Sequence, residues 1–310
     1  MPPAALGTAI YPGQAAIELI AHQPAAAPAQ HPWSDTRVDS KELALACGFL
    51  LGRHFFGLED LHYGYWQADE PADMLHLGTA QARFSDFLLS HIPARAKSVL
   101  DVGCGSGKVA EQLIGRGHQV DCVSPGPFLT ALARKRLAGA ADVFECRFEE
   151  FETTRRYDIV LFCESFQYVS LSESLRRAAA LLNPGGHMVI ADFFRTDAKG
   201  YSPLAGGHFL RAFYEQVAAM PFTCQSDVDI TREAAPTVKI VNDIAVETVR
   251  PICEMARHYL RTNRPWLSRI VHWLLRHRLA KLEKKQFAGK NTPEAFCRFK
   301  SYRVMVYQRQ

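Results

Sequence analysis

The stretch VLDVGCGSG, residues 99–107, decides how the rest of this sequence is interpreted. Its first four residues form a largely apolar run that predicts a buried strand, and Gly103, Gly105 and Gly107 follow. Glycine tolerates positive φ and lets the backbone approach a ligand closely. Because residues 108–114 have helical spacing, the turn would aim helix N–H groups at a ligand beyond the carboxyl end of the strand.

Two common nucleotide-binding motifs do not fit this turn. Lys108 stands where a dinucleotide-binding G-x-G-x-x-G turn has its third glycine. It is followed by Val109, where a phosphate loop requires Ser or Thr. The turn therefore argues against both a dinucleotide site and a triphosphate site.

Strands and helices alternate around this turn. Apolar runs predict strands at residues 98–102, 119–123, 142–146, 157–162, 187–193, 223–230 and 302–308. Helical spacing predicts helices between them, at residues 108–114, 127–137, 172–182 and 207–220. Strands separated by helices predict an α/β fold with a mainly parallel sheet and right-handed crossovers.

Three motifs carry a resemblance to a known family. VLDVGCGSG resembles motif I of the class I S-adenosylmethionine-dependent methyltransferases, YDIVL (157–161) resembles their fourth strand, and LLNPGGH (181–187) resembles the turn before their fifth. The resemblance covers residues 95–195. It implies a seven-stranded Rossmann-like methyltransferase sheet, here with N-terminal helices and a helical lid inserted before the last strand, and it implies S-adenosyl-L-methionine as cofactor.

A second resemblance lies near the N-terminus. The loop HYGYW, residues 62–66, is similar to a segment of the cyclopropane-synthase, tocopherol and sterol methyltransferase branch, where it implies closure over the methionine end of the cofactor. An aromatic face attracts a sulfonium cation, so Tyr63 is a candidate contact. Tyr65 and Trp66 fit ordinary core positions equally well.

The resemblance and the chemistry of the side chains together give a predicted cofactor site. Its candidate residues are Tyr63, Asp101, Gly103, Cys104, Gly105, Gly107, Ser124, Pro125, Arg147, Phe148 and Glu164. Asp101 either fixes the glycine turn or meets the cofactor amino group.

Two positions depart from the family pattern. The acidic residue that ends the second strand and binds the ribose is replaced by Ser124, and Asp121, three residues earlier, should point to the other face of the strand. One hydroxyl replaces two charge-assisted hydrogen bonds, which predicts weaker ribose capture. After the third strand, Arg147 or Phe148 stands where an acid often faces the adenine. Phe148 either stacks on the adenine or is a core residue.

The methyl acceptor is expected beyond the fourth and fifth strands. Glu164 and Tyr168 are the first candidate catalytic residues, followed by His62 and His208, and a structural role is open for each. The sequence lacks an Asn/Asp-Pro-Pro-Tyr/Phe tetrapeptide, a Pro-Cys after the fourth strand and an aromatic–basic RNA module. These absences favour a small-molecule acceptor over nucleic acid.

The organisation of the chain follows from these motifs. The predicted parts are a flexible Ala/Pro-rich arm (1–32), a helical cap (33–94), the cofactor-binding core (95–232), a helical lid (233–297) and a final core strand (298–310). Residues 265–282 combine an apolar face bearing two tryptophans with a basic opposite face. This helix either packs on its own domain or makes peripheral contact with an anionic membrane.

The composition of the chain excludes several classes of protein. The chain has 310 residues and a net charge of +4, which argues against a nucleic-acid wrapper. Mean hydropathy is −0.11, no 18-residue apolar run occurs, and the N-terminus has no charged start before an apolar stretch. Eight cysteines without C-x-x-C or zinc spacing indicate reduced thiols and no metal site. These features predict a cytoplasmic protein of undetermined oligomeric state.

The predicted function is methyl transfer from S-adenosylmethionine to a small, apolar acceptor such as an isoprenoid, quinone-like or lipid molecule. Two alternatives stay open. One is a cofactor-binding protein without methyltransferase activity, and the other is transfer of a different group from a derivative of the cofactor.

Overall fold

The computed structural model describes residues 40–285 and 287–310, so the predicted Ala/Pro-rich arm lies outside the described residues. The strands are β1 Ser98–Val102, β2 Gln119–Val123, β3 Asp142–Phe144, β4 Tyr157–Cys163, β5 Leu182–Arg195, β6 Phe222–Asp229 and β7 Lys300–Arg309. They form one seven-stranded sheet in the order β3-β2-β1-β4-β5-β7-β6. Only β7 runs antiparallel to its neighbours. The predicted α/β, Rossmann-like fold class is confirmed.

Helices cover both faces of this sheet. They are α1 Ser40–Phe56, α2 Met74–Ser90, α3 Lys108–Gly115, α4 Pro127–Leu137, α5 Leu171–Leu181, α6 Leu210–Ala218, α7 Thr231–Asp243, α8 Arg250–Asn263, α9 Pro265–Lys285 and α10 Pro293–Phe299. Local sequence explains several starts. Asp73 caps α2 by accepting the N–H groups of Leu75 and His76, and Pro127 occupies the first turn of α4, where its missing N–H costs nothing.

The core has two layers that follow the alternation of side chains along the strands. Val99 of β1 packs with α2, α3, α4 and α7 on one face, and its neighbour Leu100 packs with α5 and α6 on the other. Both faces are buried, which explains why the strands are nearly continuous apolar runs.

The register of the parallel strands places their ends at one edge. Val102, the last residue of β1, pairs with Val123 of β2 and with Phe162 of β4. The segments that follow these three strands therefore meet at the carboxyl edge of the sheet. This edge is where open α/β sheets bind ligands.

The antiparallel strand β7 brings a distant part of the chain to the same edge. Tyr302 lies opposite Phe193 and Lys300 lies opposite Arg195, near the carboxyl end of β5. The side chains at the start of β7 thus join those at the end of β5.

Some predicted boundaries are wrong. The third strand ends at Phe144 rather than at 146, and the fifth begins at Leu182 rather than at 187. The pairing register between β4 and β5 shifts there. Tyr157 pairs with Leu182, but Ile159, two residues further along β4, pairs with His187, five residues further along β5. The predicted Asn-Pro-Gly-Gly turn is thus a bulge within the strand, at which Gly185 has φ +75°.

The segment predicted to be a lid begins within the core and then leaves it. A π-helical segment, Ile244–Val249, joins α7 to α8 with helical backbone angles on both sides. Six residues of α7 are buried, whereas none of the described residues of Ile244–Asn263 is. Within the predicted lid, α7 and Phe296 of α10 therefore pack on the core, whereas Ile244–Asn263 does not. No described helix is long and apolar enough to cross a membrane.

Candidate active site

The glycine turn at the end of β1 combines packing with an open face. Gly103, Gly105 and Gly107 all have positive φ. A Cβ on Gly103 would overlap the Ser165 side chain, and a Cβ on Gly107 would lie 3.1 Å from the Cα of Ala133. At Gly105, by contrast, no described atom comes within 4 Å of an added Cβ. Gly105 therefore borders the space that a ligand would fill.

Asp101, in β1, is a buried carboxylate in need of a donor. It is 1% exposed, and its Oδ2 finds no hydrogen-bond partner within the described part of the chain. Burial raises the pKa of Asp101 to about 7. An uncompensated carboxylate beside an open glycine turn fits a ligand that carries an amino or ammonium group.

The end of β2 agrees with the sequence prediction. Asp121 points away from the ligand edge, because its Oδ2 accepts hydrogen bonds from the Tyr157 hydroxyl at 2.7 Å and from Nη1 of Arg155 at 2.8 Å. Ser124 is buried at the carboxyl end of the strand, and its N–H donates to the Phe144 carbonyl at 3.0 Å. Ser124, rather than Asp121, therefore lies at the ligand edge of the sheet.

One predicted cofactor contact is wrong. Phe148 is 3% exposed and packs edge-on against Phe162, with ring centroids 5.4 Å apart, in the core beneath the sheet edge. The Arg177 guanidinium also contacts Phe148, at 5.6 Å from the centre of its ring. Phe148 is thus a core residue, while the preceding Arg147 is exposed.

Two further predicted cofactor residues differ in burial. Cys104 is buried, and Pro125 is exposed just before α4. Cys104 and Cys122 are buried, Cys146 and Cys163 are half-buried, and all eight cysteines are free.

The aromatic loop, residues 61–66, is held directly over the end of β4. The N–H of Tyr63 donates to Oε1 of Glu164 at 2.6 Å. The Tyr63 ring packs within 6.0 Å, centroid to centroid, of Phe193, Phe296 and Tyr302. Three strand-edge and helix segments thus form an aromatic wall with this loop.

Glu164 is the residue around which this wall is organised. It is one of two non-glycine residues with positive φ in the described chain, at +52°, a conformation that costs energy and is frequent at functional sites. Its Oε1 accepts both the Tyr63 N–H and the Tyr302 hydroxyl, the latter at 2.8 Å. Burial raises the pKa of Glu164, although these donors and His62 oppose the shift.

His62 is a structural residue rather than a catalytic base, which corrects the sequence prediction. Its Nδ1 lies 2.9 Å from the Tyr63 carbonyl, and its Nε2 lies 3.1 Å from Oγ of Ser85 and 3.3 Å from Oδ1 of Asp60. Burial lowers its pKa, but the hydrogen bond and charge of Asp60 outweigh that, so the pKa of His62 is raised. Both ring nitrogens are occupied in holding the loop.

The loop is also fastened to α7. The N–H of Gly64 and Nε1 of Trp66 both donate to Oγ1 of Thr237, at 3.0 and 2.9 Å. Trp66 is 3% exposed, and Tyr65 packs on Phe87 with ring centroids 5.0 Å apart. Trp66 is therefore a core residue, and Tyr65 is half-buried against the core, so both fit the packing interpretation that the sequence allowed.

Two buried ionisable side chains, Asp192 of β5 and Lys300 of β7, lie near the carboxyl end of β5. Asp192 is 1% exposed, and its carboxylate accepts the N–H of Gln167 at 3.0 Å and that of Phe193 at 2.8 Å. Burial is the main cause that raises the pKa of Asp192 to about 8. Burial likewise lowers the pKa of Lys300 to about 8, and its Nζ lies 5.2 Å from the ring centre of Phe193.

The other two catalytic candidates differ in placement. Tyr168 is 61% exposed, and burial of its hydroxyl and the charges of Asp192 and Glu164 raise its pKa. It stays a candidate at the rim of the site. His208 contacts the carbonyls of Phe166 and Val169, at 3.2 and 2.9 Å, and so serves the fold.

Sequence analysis missed Tyr302, Thr237 and Lys300. Tyr302 and Lys300 lie in the last strand, far from any motif, and Thr237 lies in a helix without a signature. Only the antiparallel pairing of β7 with β5 could have indicated the first two. Among the described residues, no three His, Cys, Asp or Glu side chains are grouped to hold a metal ion.

Comparison with known proteins shows what this chain is similar to. Residues 76–205 match the model of a family described as a methyltransferase domain. A ubiquinone biosynthesis O-methyltransferase from Xanthomonas oryzae pv. oryzae is 28% identical over 152 residues, which cover 47% of this chain and 63% of that protein.

Solved structures agree on the fold. A geranyl diphosphate C-methyltransferase from Streptomyces coelicolor superposes with a TM-score of 0.61 at 15% identity, over 89% of this chain and 100% of that one. The cyclase SpnF superposes with a TM-score of 0.60 at 15% identity, over 87% and 94%.

The sheet order and the glycine turn therefore define an α/β protein whose ligand edge lies at the carboxyl ends of its parallel strands. The part of the chain that matches the methyltransferase-domain model, residues 76–205, includes the three motifs on which the sequence resemblance rests. The chain spans less than two thirds of the length of the curated relatives that it matches.

Proposed function

We propose that this protein transfers a methyl group from S-adenosylmethionine to a small apolar acceptor. The observation that carries the proposal is the pairing of an open glycine turn with an unsatisfied carboxylate oxygen. Gly105 borders free space, and Oδ2 of the nearby Asp101 accepts no hydrogen bond from any residue that the structure describes. S-Adenosylmethionine supplies what both need, since its adenosyl group requires close backbone approach and its amino group is a donor.

The residues present fit this cofactor. Gly103, Gly105 and Gly107 give the turn its approach, Asp101 takes the amino group, and Ser124 offers a hydroxyl to the ribose. Tyr63 presents an aromatic ring in a wall that suits a sulfonium. When bound, the cofactor supplies a methyl group on positive sulfur, which an acceptor displaces in line.

The chain's own part in this reaction is positioning and exclusion of water. Glu164 anchors the aromatic loop through the Tyr63 N–H, and Thr237 anchors the same loop from α7. The loop is therefore held from two sides above the sheet edge. Such a closed cover keeps water from the sulfonium and fixes the direction from which the acceptor approaches.

The acceptor would lie against the ends of β4 and β5, near Phe193, Tyr168 and Asp192. Aromatic rings dominate this side, which favours an apolar acceptor. The carboxylate of Asp192 accepts backbone N–H groups, so it positions Gln167 and the chain around it rather than the reacting atom. The names of the ubiquinone and geranyl diphosphate methyltransferases support a small-molecule acceptor.

A direct assay tests the proposal. The protein is incubated with methyl-labelled S-adenosylmethionine and a panel of quinone-like, isoprenoid and lipid acceptors, and the products are identified by mass spectrometry. A methylated acceptor together with S-adenosylhomocysteine supports methyl transfer. An acceptor that gains a different fragment supports the alternative group transfer, and binding without product supports a silent binding protein.

A further inference from the structure

The two helices α8 and α9 and the π-helical segment before them form a projection outside the core, here called the helical hairpin (residues 244–285). None of the described residues of α8 or of the π-helical segment is buried. This surface takes no part in the site above. Its chemistry therefore calls for a separate explanation.

Positive charge is concentrated on this hairpin. Its sequence holds ten Arg and Lys residues against three Glu, a net charge of +7. The entire chain has a net charge of +4, so the remainder of the protein carries −3. An ordinary solvated helix mixes both signs, whereas a one-sided excess indicates an anionic partner.

Large apolar side chains are exposed on the same two helices. On α8, Ile252, Met255 and Tyr259 are 55, 64 and 63% exposed, and their spacing places them on one helical face. On α9, Trp266 and Trp273 are 63 and 68% exposed and lie on one face, seven residues apart. These exposures overturn the expectation that the tryptophan-bearing helix packs on its own domain.

A basic cleft lies between the two helices. Its volume is about 610 Å³, and its lining includes Arg257, Arg261, Arg269, His258 and His272. The Arg257 guanidinium is paired with Glu283, with 2.9 Å between Nη1 and Oε1. Arg261 and Arg269 form no ion pair with any side chain that the structure describes. A guanidinium fork matches the oxygen geometry of a phosphate group.

We propose that the helical hairpin docks the protein on the surface of an anionic lipid bilayer. In this arrangement Arg261 and Arg269 receive lipid phosphates, while Trp266, Trp273 and Tyr259 enter the boundary between headgroups and acyl chains. Basic helices with exposed tryptophans bind membranes through this combination of charge and apolar area. The docking is independent of methyl transfer, so either proposal can fail alone.

Two other occupants fit the surface less well. A nucleic acid would neutralise the charge but would leave most of the apolar side chains in water. A second copy of the hairpin would cover the apolar side chains but would bring two charges of +7 together, which opposes association. A bilayer with anionic headgroups satisfies both features.

Vesicle flotation of the full chain tests this docking. Vesicles of phosphatidylcholine alone are compared with vesicles that also contain phosphatidylglycerol. We expect flotation only with the anionic vesicles. We further expect Trp266→Ala/Trp273→Ala and Arg261→Gln/Arg269→Gln each to weaken binding by about tenfold or more.

A control variant distinguishes binding through the helical hairpin from a nonspecific effect of the net charge of the protein. Lys135→Gln/Arg211→Gln removes the same charge from exposed positions outside the hairpin and should bind as the parent does. All substituted side chains are exposed, and a thermal melt by circular dichroism checks that each variant is folded.

Four outcomes would overturn the proposal. They are absence of flotation with anionic vesicles, equal flotation with neutral ones, release of the protein by millimolar inorganic phosphate at constant ionic strength, and equal loss in the control variant. A dimer in light scattering that the tryptophan variant dissolves, without vesicle binding, would assign the surface to a second copy.

Discussion

The hydroxyl of Tyr302 donates a hydrogen bond to Oε1 of Glu164 at 2.8 Å, across 138 residues of sequence. The same oxygen accepts the backbone N–H of Tyr63 at 2.6 Å. One carboxylate oxygen therefore joins the last strand, the loop after β4 and the aromatic loop. The cover of the proposed site depends on this junction.

Tyr302→Phe should loosen that junction. Losing one hydrogen bond to a carboxylate should lower the free energy of unfolding by about 1–3 kcal/mol and should weaken S-adenosylhomocysteine binding. The pKa of Glu164 should rise further, because the lost donor had lowered it. Chemical denaturation and calorimetric titration measure both effects.

The matched control is Tyr214→Phe, which removes a hydroxyl hydrogen bond to Asp227 of 2.7 Å, away from the ligand edge. It should cost similar stability and leave ligand affinity unchanged. Equal affinity in the two variants would show that the Glu164 junction does not hold the ligand cover.

Asp101→Asn should change both the pH dependence of the free energy of unfolding and the affinity for the cofactor, and the two effects can be measured separately. The pKa of Asp101 is raised from 3.8 to about 7, so between these values the folded protein holds a proton that the unfolded chain has lost. The free energy of unfolding therefore falls as pH rises through this window. The variant should show a shallower fall, because it has no carboxyl to titrate.

The same variant should bind the cofactor about tenfold more weakly or worse, since a charge-assisted hydrogen bond to the amino group is lost. Urea denaturation across pH 4–8 and titration at pH 7.5 give the two readouts. An unchanged pH slope would mean that Asp101 is not the buried acid described, and unchanged affinity would mean that it does not meet the ligand.

Much of the fold and the floor of the site could be predicted from sequence. The glycine turn and the Pro-Gly-Gly motif are local features, and alternating strands and helices constrain the topology. Even the opposed directions of Asp121 and Ser124 follow from strand alternation.

The cover of the site was harder to predict. Tyr302 and Thr237 reach the aromatic loop through pairings of segments far apart in the chain, which no local pattern encodes. His62 looked like a base because its type allows it, but the neighbours that occupy both nitrogens come from tertiary packing. Phe148 was ambiguous because stacking on adenine and packing in a core need the same side chain.

Ser124→Asp should strengthen cofactor binding. Under the proposed function Ser124 faces the ribose from the sheet edge, and a carboxylate there would accept two charge-assisted hydrogen bonds in place of one. We expect a gain of about 1 kcal/mol or more in binding free energy, measured by calorimetry. Ser124→Asn, which has the same shape without the charge, should show a smaller gain. A loss of affinity in folded Ser124→Asp would mean that the ribose lies elsewhere.

Hydrogen exchange should identify which part of the predicted helical lid (233–297) closes over the bound ligand. Residues 60–68 and α7 should gain protection when S-adenosylhomocysteine binds, because Thr237 ties the loop to that helix. Exchange in α8 and α9 should not change, since α8 has no buried described residue. If S-adenosylhomocysteine also protected α9 from exchange, that helix would belong to the part of the chain that closes over the ligand.

The most direct test of the central claim, that the glycine turn holds S-adenosylmethionine, is calorimetric titration of the full chain with S-adenosylhomocysteine. The parent should bind one equivalent. Gly105→Asn should abolish binding while staying folded, because asparagine tolerates positive φ and its side chain enters the space beside Gly105. Gly139→Asn, at another positive-φ glycine with no neighbour within 4 Å, should bind as the parent does. A folded parent that does not bind, or a Gly105→Asn variant with full affinity, would contradict the account.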